Sequence, residues 1–375
     1  MRVLIACHSL AYLGGVQAYE RDLAFWLVEQ GHTPIVYSPV LGETARQLER
    51  RTVAVTDDLA SVSLAPDIIH GDSAVETMTA LLHFPTAPAV FVCHGWLGAS
   101  AAPPRFPRIL RYIAVDDTCA DRLLLREGIP PDKVSVLLNG VDLTRFRQRP
   151  PLPPRPRRAI VFSNAAHESN YLPIVREACQ TAGIEVDVAG YLSGQASREP
   201  EKILAGYDLA FAKAKCAIEA MACGLAVVLC DTAGMGGMVR STEVDRLRRL
   251  NFGIRTLDRP ISVEAVTAAI GLYDPVDARQ VSDRIREIGS SETLCRSLFE
   301  TYESVLLAHA AGQSRNDWQA ESRAAAAFLR DNNDALRKQA LENVGIMQAA
   351  HRLLQIPLIG SIGRGAIKWL RRRRG

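Results

Sequence analysis

Val3-Leu4-Ile5-Ala6-Cys7 is an unbroken apolar run, the pattern of a parallel strand covered on both faces. A loop with Gly14-Gly15 follows. From about Val16 to Gln30 the apolar positions Leu23, Phe25, Trp26, Leu27 and Val28 supply one helix face, which Gly31 closes. Thr33–Tyr37 then reads as the next strand, which completes a strand–helix–strand unit. Further strands are predicted at 67–70, 89–93, 112–115 and 134–137, with helical segments between several of them. The first half therefore reads as a doubly wound α/β domain.

Between Arg147 and Arg158 stand five prolines, which favour an extended, solvated linker. The strand pattern restarts at Ala159–Phe162 and continues at 184–189, 208–211 and 226–230. Helices are predicted at 171–181 and 217–223, and helical sequence runs from about Val263 to His309. The organisation is an α/β domain over 1–148, a Pro-rich linker over 149–158, a second α/β domain over 159–312 and a helical extension over 313–375. Residues 316–354 of that extension are rich in Ala, Leu, Arg and Glu, good helix formers. Ile356-Pro357 ends that helix, and an apolar stretch over 358–367 precedes Trp369 and Arg371–Arg374.

A chain of 375 residues, 48% hydrophobic and 23% charged, is long enough for two cores without metal or disulfide staples. The formal charge of +3 is too small to indicate a nucleic-acid partner. Residues 364–375 carry six basic side chains and no acid, so the basicity belongs to one end. The eight cysteines are scattered, with no C-x-x-C pair, which suits free thiols in a reducing, cytoplasmic setting. Neither a signal-peptide pattern nor an apolar run of about 20 residues is evident.

Gly14-Gly15 stands where a strand-to-helix turn lets a phosphate approach backbone amides. The segment is not G-x-G-x-x-G, and a P-loop signature is also lacking. Lys213-Ala214-Lys215 opens a helix in which Glu219 lies one turn farther in. Such a helix start, with two cations, suits an anion, and Glu219 suits a ribose diol. An amphipathic helix with Glu219 on its wet face explains the same residues.

Glu219 through Val228 resembles the nucleotide-binding segment of GT-B-fold glycosyltransferases of the retaining family 4 group, also termed group 1. Gly14-Gly15 with Gln17-Ala18-Tyr19-Glu20 is similar to the family's N-terminal glycine loop. Val92-Cys93-His94-Gly95 resembles its strand ending in His-Gly, and Leu138-Asn139-Gly140-Val141-Asp142 through Phe146 its close of the first domain. The ordered set spans roughly 1–310. It implies a GT-B fold: two Rossmann-like domains facing a cleft, here with a helical C-terminal extension. It also implies a nucleoside-diphosphate sugar donor, with Glu219 on the ribose and His94 beside the transferred sugar as the catalytic candidate. Gly14 and Gly15 would lie near the diphosphate. Lys213 and Lys215 are expected to supply donor-binding charge, and Gly234, Gly236 and Gly237, in a loop over 231–239, backbone contacts. The glutamate that usually stands eight positions before Glu219 is replaced by Phe211, and Ser163-Asn164 stands where the family has Arg and Lys.

With no D-x-D or His-rich cluster where a diphosphate would sit, neither metal nor cofactor is expected. The acceptor implied is a hydroxyl on a glycan or lipid-linked glycan of cell-surface polysaccharide synthesis. Trp369 with Arg371–Arg374 suits an anionic inner membrane surface, or simply a solvated tail. A nucleotide-sugar epimerase of the same architecture and a noncatalytic scaffold remain as alternatives.

Overall fold

The computed structural model describes residues 1–98, 102–197, 199–312 and 317–355. The first half alternates strands and helices: β1 (Arg2–Ala6), α1 (Gly15–Glu29), β2 (Thr33–Tyr37), α2 (Glu43–Arg50), β3 (Ala54–Thr56), β4 (Ile68–Gly71), α3 (Ala74–His83), β5 (Ala89–Cys93), β6 (Ile109–Ala114), α4 (Asp117–Asp121) and β7 (Val134–Val136). All seven strands are parallel, in the order β3-β2-β1-β4-β5-β6-β7. Every residue of β5 is buried, as the unbroken apolar run requires of a central strand.

The second half contains β8 (Arg158–Phe162), α5 (Leu172–Thr181), β9 (Glu185–Ala189), α6 (Pro200–Leu204), β10 (Leu209–Ala212), α7 (Ala214–Ala222), β11 (Ala226–Asp231) and β12 (Gly234–Met238). Its sheet runs β12-β11-β10-β8-β9, with only β12 antiparallel. Phe211, at the position usually held by a glutamate, is buried in β10 among Val161, Leu209 and Val228. Two apolar cores flank this sheet. The helical sequence beyond it resolves into α8 (Val244–Arg249), α9 (Val263–Ile270), α10 (Pro275–Ile288) and α11 (Ser291–Ala310). Ser262 and Asp274 cap α9 and α10 through hydrogen bonds to first-turn amides.

The two halves share one helix. After α10 the chain crosses back, and α11 packs on the first half: Phe299 stacks on His32 at 4.5 Å between centroids, and the Tyr302 hydroxyl lies 2.6 Å from His70 Nδ1. Gly140 makes that return possible, because a Cβ there would fall 2.6 Å from Ser291 Cα. Asp142 Oδ1 then accepts from the amides of Thr144 and Arg145 at 2.9 and 3.2 Å, a turn that delivers Phe146 to the second core. The Asn-Gly-Val-Asp segment is thus a structural corner.

Two expectations are corrected here. Residues 231–239 do not form an open loop: β11 and β12 are a hairpin, and β12 is braced by a bridge between Met235 and Arg259. The proline-rich segment is solvated only in part: Pro150, Pro151, Pro154 and Arg155 are exposed, but Leu152 is buried in the core around α5 and α9, and the Tyr273 hydroxyl donates to Pro153 O at 2.9 Å.

All this, apart from residues 105–107, is one compact unit; α12 (Trp318–Gln355) belongs with 105–107 to a second. In α12, Leu329, Leu336 and Leu341 are exposed. The apolar–basic stretch over 358–375, with Trp369 and Arg371–Arg374, lies outside the described residues. No helix among the described residues is long and apolar enough to cross a membrane. All eight cysteines are free.

Candidate functional site

The carboxyl ends of parallel strands are where α/β sheets present loops and helix starts to a ligand. Here both sheets do so around two adjoining cavities of about 240 Å³ each. Gly15, Phe162, Asn164, Lys215 and Cys216 line both. The first cavity adds Tyr12, Gly14, Arg21, Tyr191 and Glu219. The second adds His94, Asn139, Lys213, Asp231 and Asn251.

Gly14 precedes α1, whose first residue Gly15 lies so close to α7 that a Cβ there would sit 3.9 Å from Lys215 Cβ. A helix start with little side-chain bulk therefore faces the start of α7. The latter is built on strained backbone. Ala214 has φ +51°, and its amide donates to Phe252 O at 2.9 Å, from a segment where Asn251 and Phe252 also have φ +54° and +48°. Three non-glycine residues in the left-handed region, each costing on the order of 1 kcal/mol, are held by surrounding packing, and two of them, Ala214 and Asn251, line the second cavity.

Lys213 and Lys215 do not offer free positive charge. Lys213 pairs with Asp231. Lys215 is buried, donates to Gly140 O at 3.2 Å, and has Asp22 and Glu219 carboxylate oxygens at 3.7 and 3.8 Å. Asp22 also receives Arg21 at 2.7 Å and Arg145 at 3.4 Å, and Arg145 reaches Glu201 at 2.9 Å. These contacts tie α1 to α6 and α7 across the cleft. Burial would raise the Asp22 carboxyl, but Lys215 and the two arginines hold it below its ordinary range. Glu219 goes the other way. Its burial, which Lys215 only partly offsets, pushes it to about 7. At the cavity mouth Tyr12 and Tyr191 stack across the two halves at 4.4 Å between centroids.

His94 immediately follows β5. The loop beyond it is fixed by the buried Arg122, which donates to Gly95 O at 2.7 Å and Gly98 O at 3.0 Å. Tyr19 meets the His94 ring edge-on at 4.8 Å between centroids, and Glu20 Oε1 lies 3.5 Å from His94 Nε2. Glu20 is buried and has His70 Nε2 at 3.2 Å. Asp72, just past β4, is buried nearby. Burial and the Glu20 carboxylate push its carboxyl well up, so that the pair resists carrying two charges.

Of the residues selected from sequence, Gly14, Gly15, Lys215 and Glu219 therefore meet at the first cavity. Gly15, Lys215, His94 and Lys213 meet at the second. Gly234, Gly236 and Gly237 do not join them. They lie in β12, where a Cβ on Gly234 would meet Arg259 O at 2.5 Å and one on Gly236 would meet Thr256 O at 2.2 Å. Close packing requires glycine at Gly234 and Gly236, and the left-handed backbone at φ +84° favours it at Gly237. Sequence reasoning did not select Glu20, Asp72, Asp22, Tyr12, Tyr191 or Asn251. Only Glu20 carried a signal, as part of the segment after the glycine pair.

Two Rossmann-like parallel sheets with their strand ends on one cleft define the GT-B architecture of glycosyltransferases. Residues 13–145 match the family model for Glycosyltransferase Family 4. A glycosyltransferase from Rickettsia africae is similar in structure, with TM-score 0.57, 14% identity, and coverage of 81% of this chain and 98% of that one. Anabaena HepE with UDP is also similar, at TM-score 0.56 and 15% identity, covering 81% of this chain and all of that one. Its complex with UDP-glucose gives TM-score 0.54 and 17% identity with the same coverage. No curated protein matches the sequence.

Proposed function

We propose that this chain is a glycosyltransferase that moves a sugar from a nucleoside-diphosphate donor, in the first instance a uridine nucleotide, to a hydroxyl acceptor. The observation that carries the reading is the convergence of Gly14-Gly15, the start of α7 with its Glu219, and His94, from three separate segments, on two adjoining cavities between the sheets. The bond from the anomeric carbon to the diphosphate oxygen breaks, and its electron pair leaves on the nucleoside diphosphate. The acceptor oxygen bonds to the anomeric carbon, and its proton passes to the departing diphosphate oxygen. In this reading Glu219 accepts from the ribose hydroxyls, while the amides at the starts of α1 and α7 take up the developing diphosphate charge. Lys213 and Lys215 contribute by exchanging their present acidic partners for the diphosphate, and His94 borders the sugar. Neither metal nor organic cofactor enters these steps. The acceptor class is a glycan or lipid-linked glycan at the inner membrane surface.

A catalytically degenerate, donor-binding relative is the second reading. It is favoured by the apolar Phe211 and by the paired state of both lysines. Thermal unfolding against UDP-, GDP-, ADP- and CMP-sugars, followed by release of nucleoside diphosphate from any binder, separates the two. At about 100 times its dissociation constant, a donor stabilises the native state by roughly 2.7 kcal/mol. A shift that is lost in Glu219→Ala, with turnover, supports the transferase. A shift without turnover supports the second reading, and no shift with any donor refutes both.

A further inference from the structure

The order of the first sheet brings three side chains together, of which only His94 enters the donor reading above. β4 and β5 are neighbours, so Asp72 and His94, each just beyond a strand end, lie side by side. β1 lies on the other side of β4, and the helix that follows it, α1, places Glu20 over the same ends. One ligand atom from each of Glu20, Asp72 and His94 falls within 4.8 Å of the others. Asp72 Oδ2 is buried and lacks a hydrogen-bond partner, and Glu20 Oε2 and His94 Nε2, also buried, make no well-formed hydrogen bond: their nearest polar neighbours are His70 Nε2 at 3.2 Å from Glu20 Oε2 and Glu20 Oε1 at 3.5 Å from His94 Nε2. The three side chains themselves are nine-tenths or more buried.

Two buried carboxylates that meet only imidazole nitrogens, one of them with an unpartnered oxygen, are expensive without a positive charge among them. We propose that Glu20, Asp72 and His94 hold one divalent transition-metal ion of the zinc, manganese or iron(II) kind. The donor set selects that class: two carboxylate oxygens and an imidazole nitrogen suit these ions, whereas calcium and magnesium favour all-oxygen shells. Bond lengths near 2.0–2.2 Å require the donor atoms to draw together by about 1 Å, within reach of side-chain rotation. An outer layer is already in place. His70 Nε2 lies 3.2 Å from Glu20, and the Tyr302 hydroxyl lies 2.6 Å from His70 Nδ1, a chain that fixes the ligating carboxylate as metal sites commonly require. His94 also lines the second cavity, which gives the ion a route in and leaves a coordination position on that side. The absence of an acidic motif where a diphosphate would sit does not bear on this cluster, which belongs to the first sheet.

The test uses the tag-free full chain, stripped with a chelator and free of nucleotide, so that its outcome is independent of the transferase reading. Zn²⁺, Mn²⁺ and Co²⁺ are titrated by calorimetry with metal analysis, and the Co²⁺ complex is followed by visible absorption. The expected result is one ion per chain and ligand-field bands that His94→Gln abolishes. Asp72→Asn should weaken binding by more than the 10–100-fold that loss of an outer partner costs, and His70→Gln should fall within that range. Circular dichroism establishes that the variants fold; if they do not, the wild-type stoichiometry and Co²⁺ spectrum decide. Failure of the wild-type chain to take up any of the three ions stoichiometrically overturns the proposal. So does uptake unchanged in Asp72→Asn. A gain in stability of Asp72→Asn without metal uptake by the wild type also overturns it, and assigns a shared proton to the two acids instead.

Discussion

Glu219→Gln tests the electrostatics of the cleft without any ligand. Folding raises this carboxyl from its ordinary 4.5 to about 7, chiefly by burial. A carboxyl raised by folding binds its proton more tightly in the native state. Its stabilising contribution is therefore complete below pH 4.5 and is lost as the pH climbs through 7. At about 1.4 kcal/mol per pH unit the separation is worth on the order of 3 kcal/mol, most of which falls between pH 5 and pH 8. The amide does not titrate and escapes that loss. Urea unfolding of both proteins at pH 5, 6, 7 and 8 should show the variant gaining on the wild type by about 2–3 kcal/mol across the series. Altered packing at the amide displaces the whole difference curve and leaves its slope unchanged. A difference that stays flat with pH would refute the argument that Glu219 is buried and incompletely compensated by Lys215.

Two further outcomes follow from the same region. Ala214→Gly removes a side chain from φ +51°, so the variant should unfold at a denaturant concentration corresponding to about 0.5–1 kcal/mol greater stability; a loss of stability would show that the position is not strained. Asp22→Asn leaves the buried Lys215 and its arginine neighbours short of a carboxylate, and should cost about 3 kcal/mol at pH 7 by chemical denaturation. Because the Asp22 carboxyl is held below its ordinary 3.8, that cost should shrink as the pH falls through and below that value.

Strands such as β1, β5 and β11 were legible because a short apolar run bounded by turn residues fits a doubly covered parallel strand and little else. β12 was not. Gly-Met-Gly-Gly-Met has no alternation and poor strand propensity, and its conformation comes from pairing with β11 and Arg259. β3 is only three residues long, with none buried, so it leaves no apolar signature. The site divides in the same way. Gly14-Gly15 and the Lys215–Glu219 spacing are local features of single segments, readable one at a time. The Glu20–His70–Asp72–His94 cluster draws four polar residues from α1, from β4 and its end, and from the end of β5, and only the sheet order makes them neighbours. Charge counting also overestimated Lys213 and Lys215, because their acidic partners Asp231, Asp22 and Glu219 are fixed by tertiary packing.

The return of α11 to the first half sets a schedule for synthesis. Strands β1 to β7 have all left the ribosome once residue 136 has emerged, but His70 has no Tyr302 and His32 has no Phe299 until the chain has grown past residue 302. At about 5–20 residues per second that gap lasts on the order of ten seconds or more, during which the apolar surface later covered by α11 is open. Domain-by-domain folding in order of synthesis therefore leaves the first half of this chain without the contacts of α11 until the second half has been made. Its first half is begun first and finished last, and a nascent chain halted between the two sheets is the form in which a chaperone would find it.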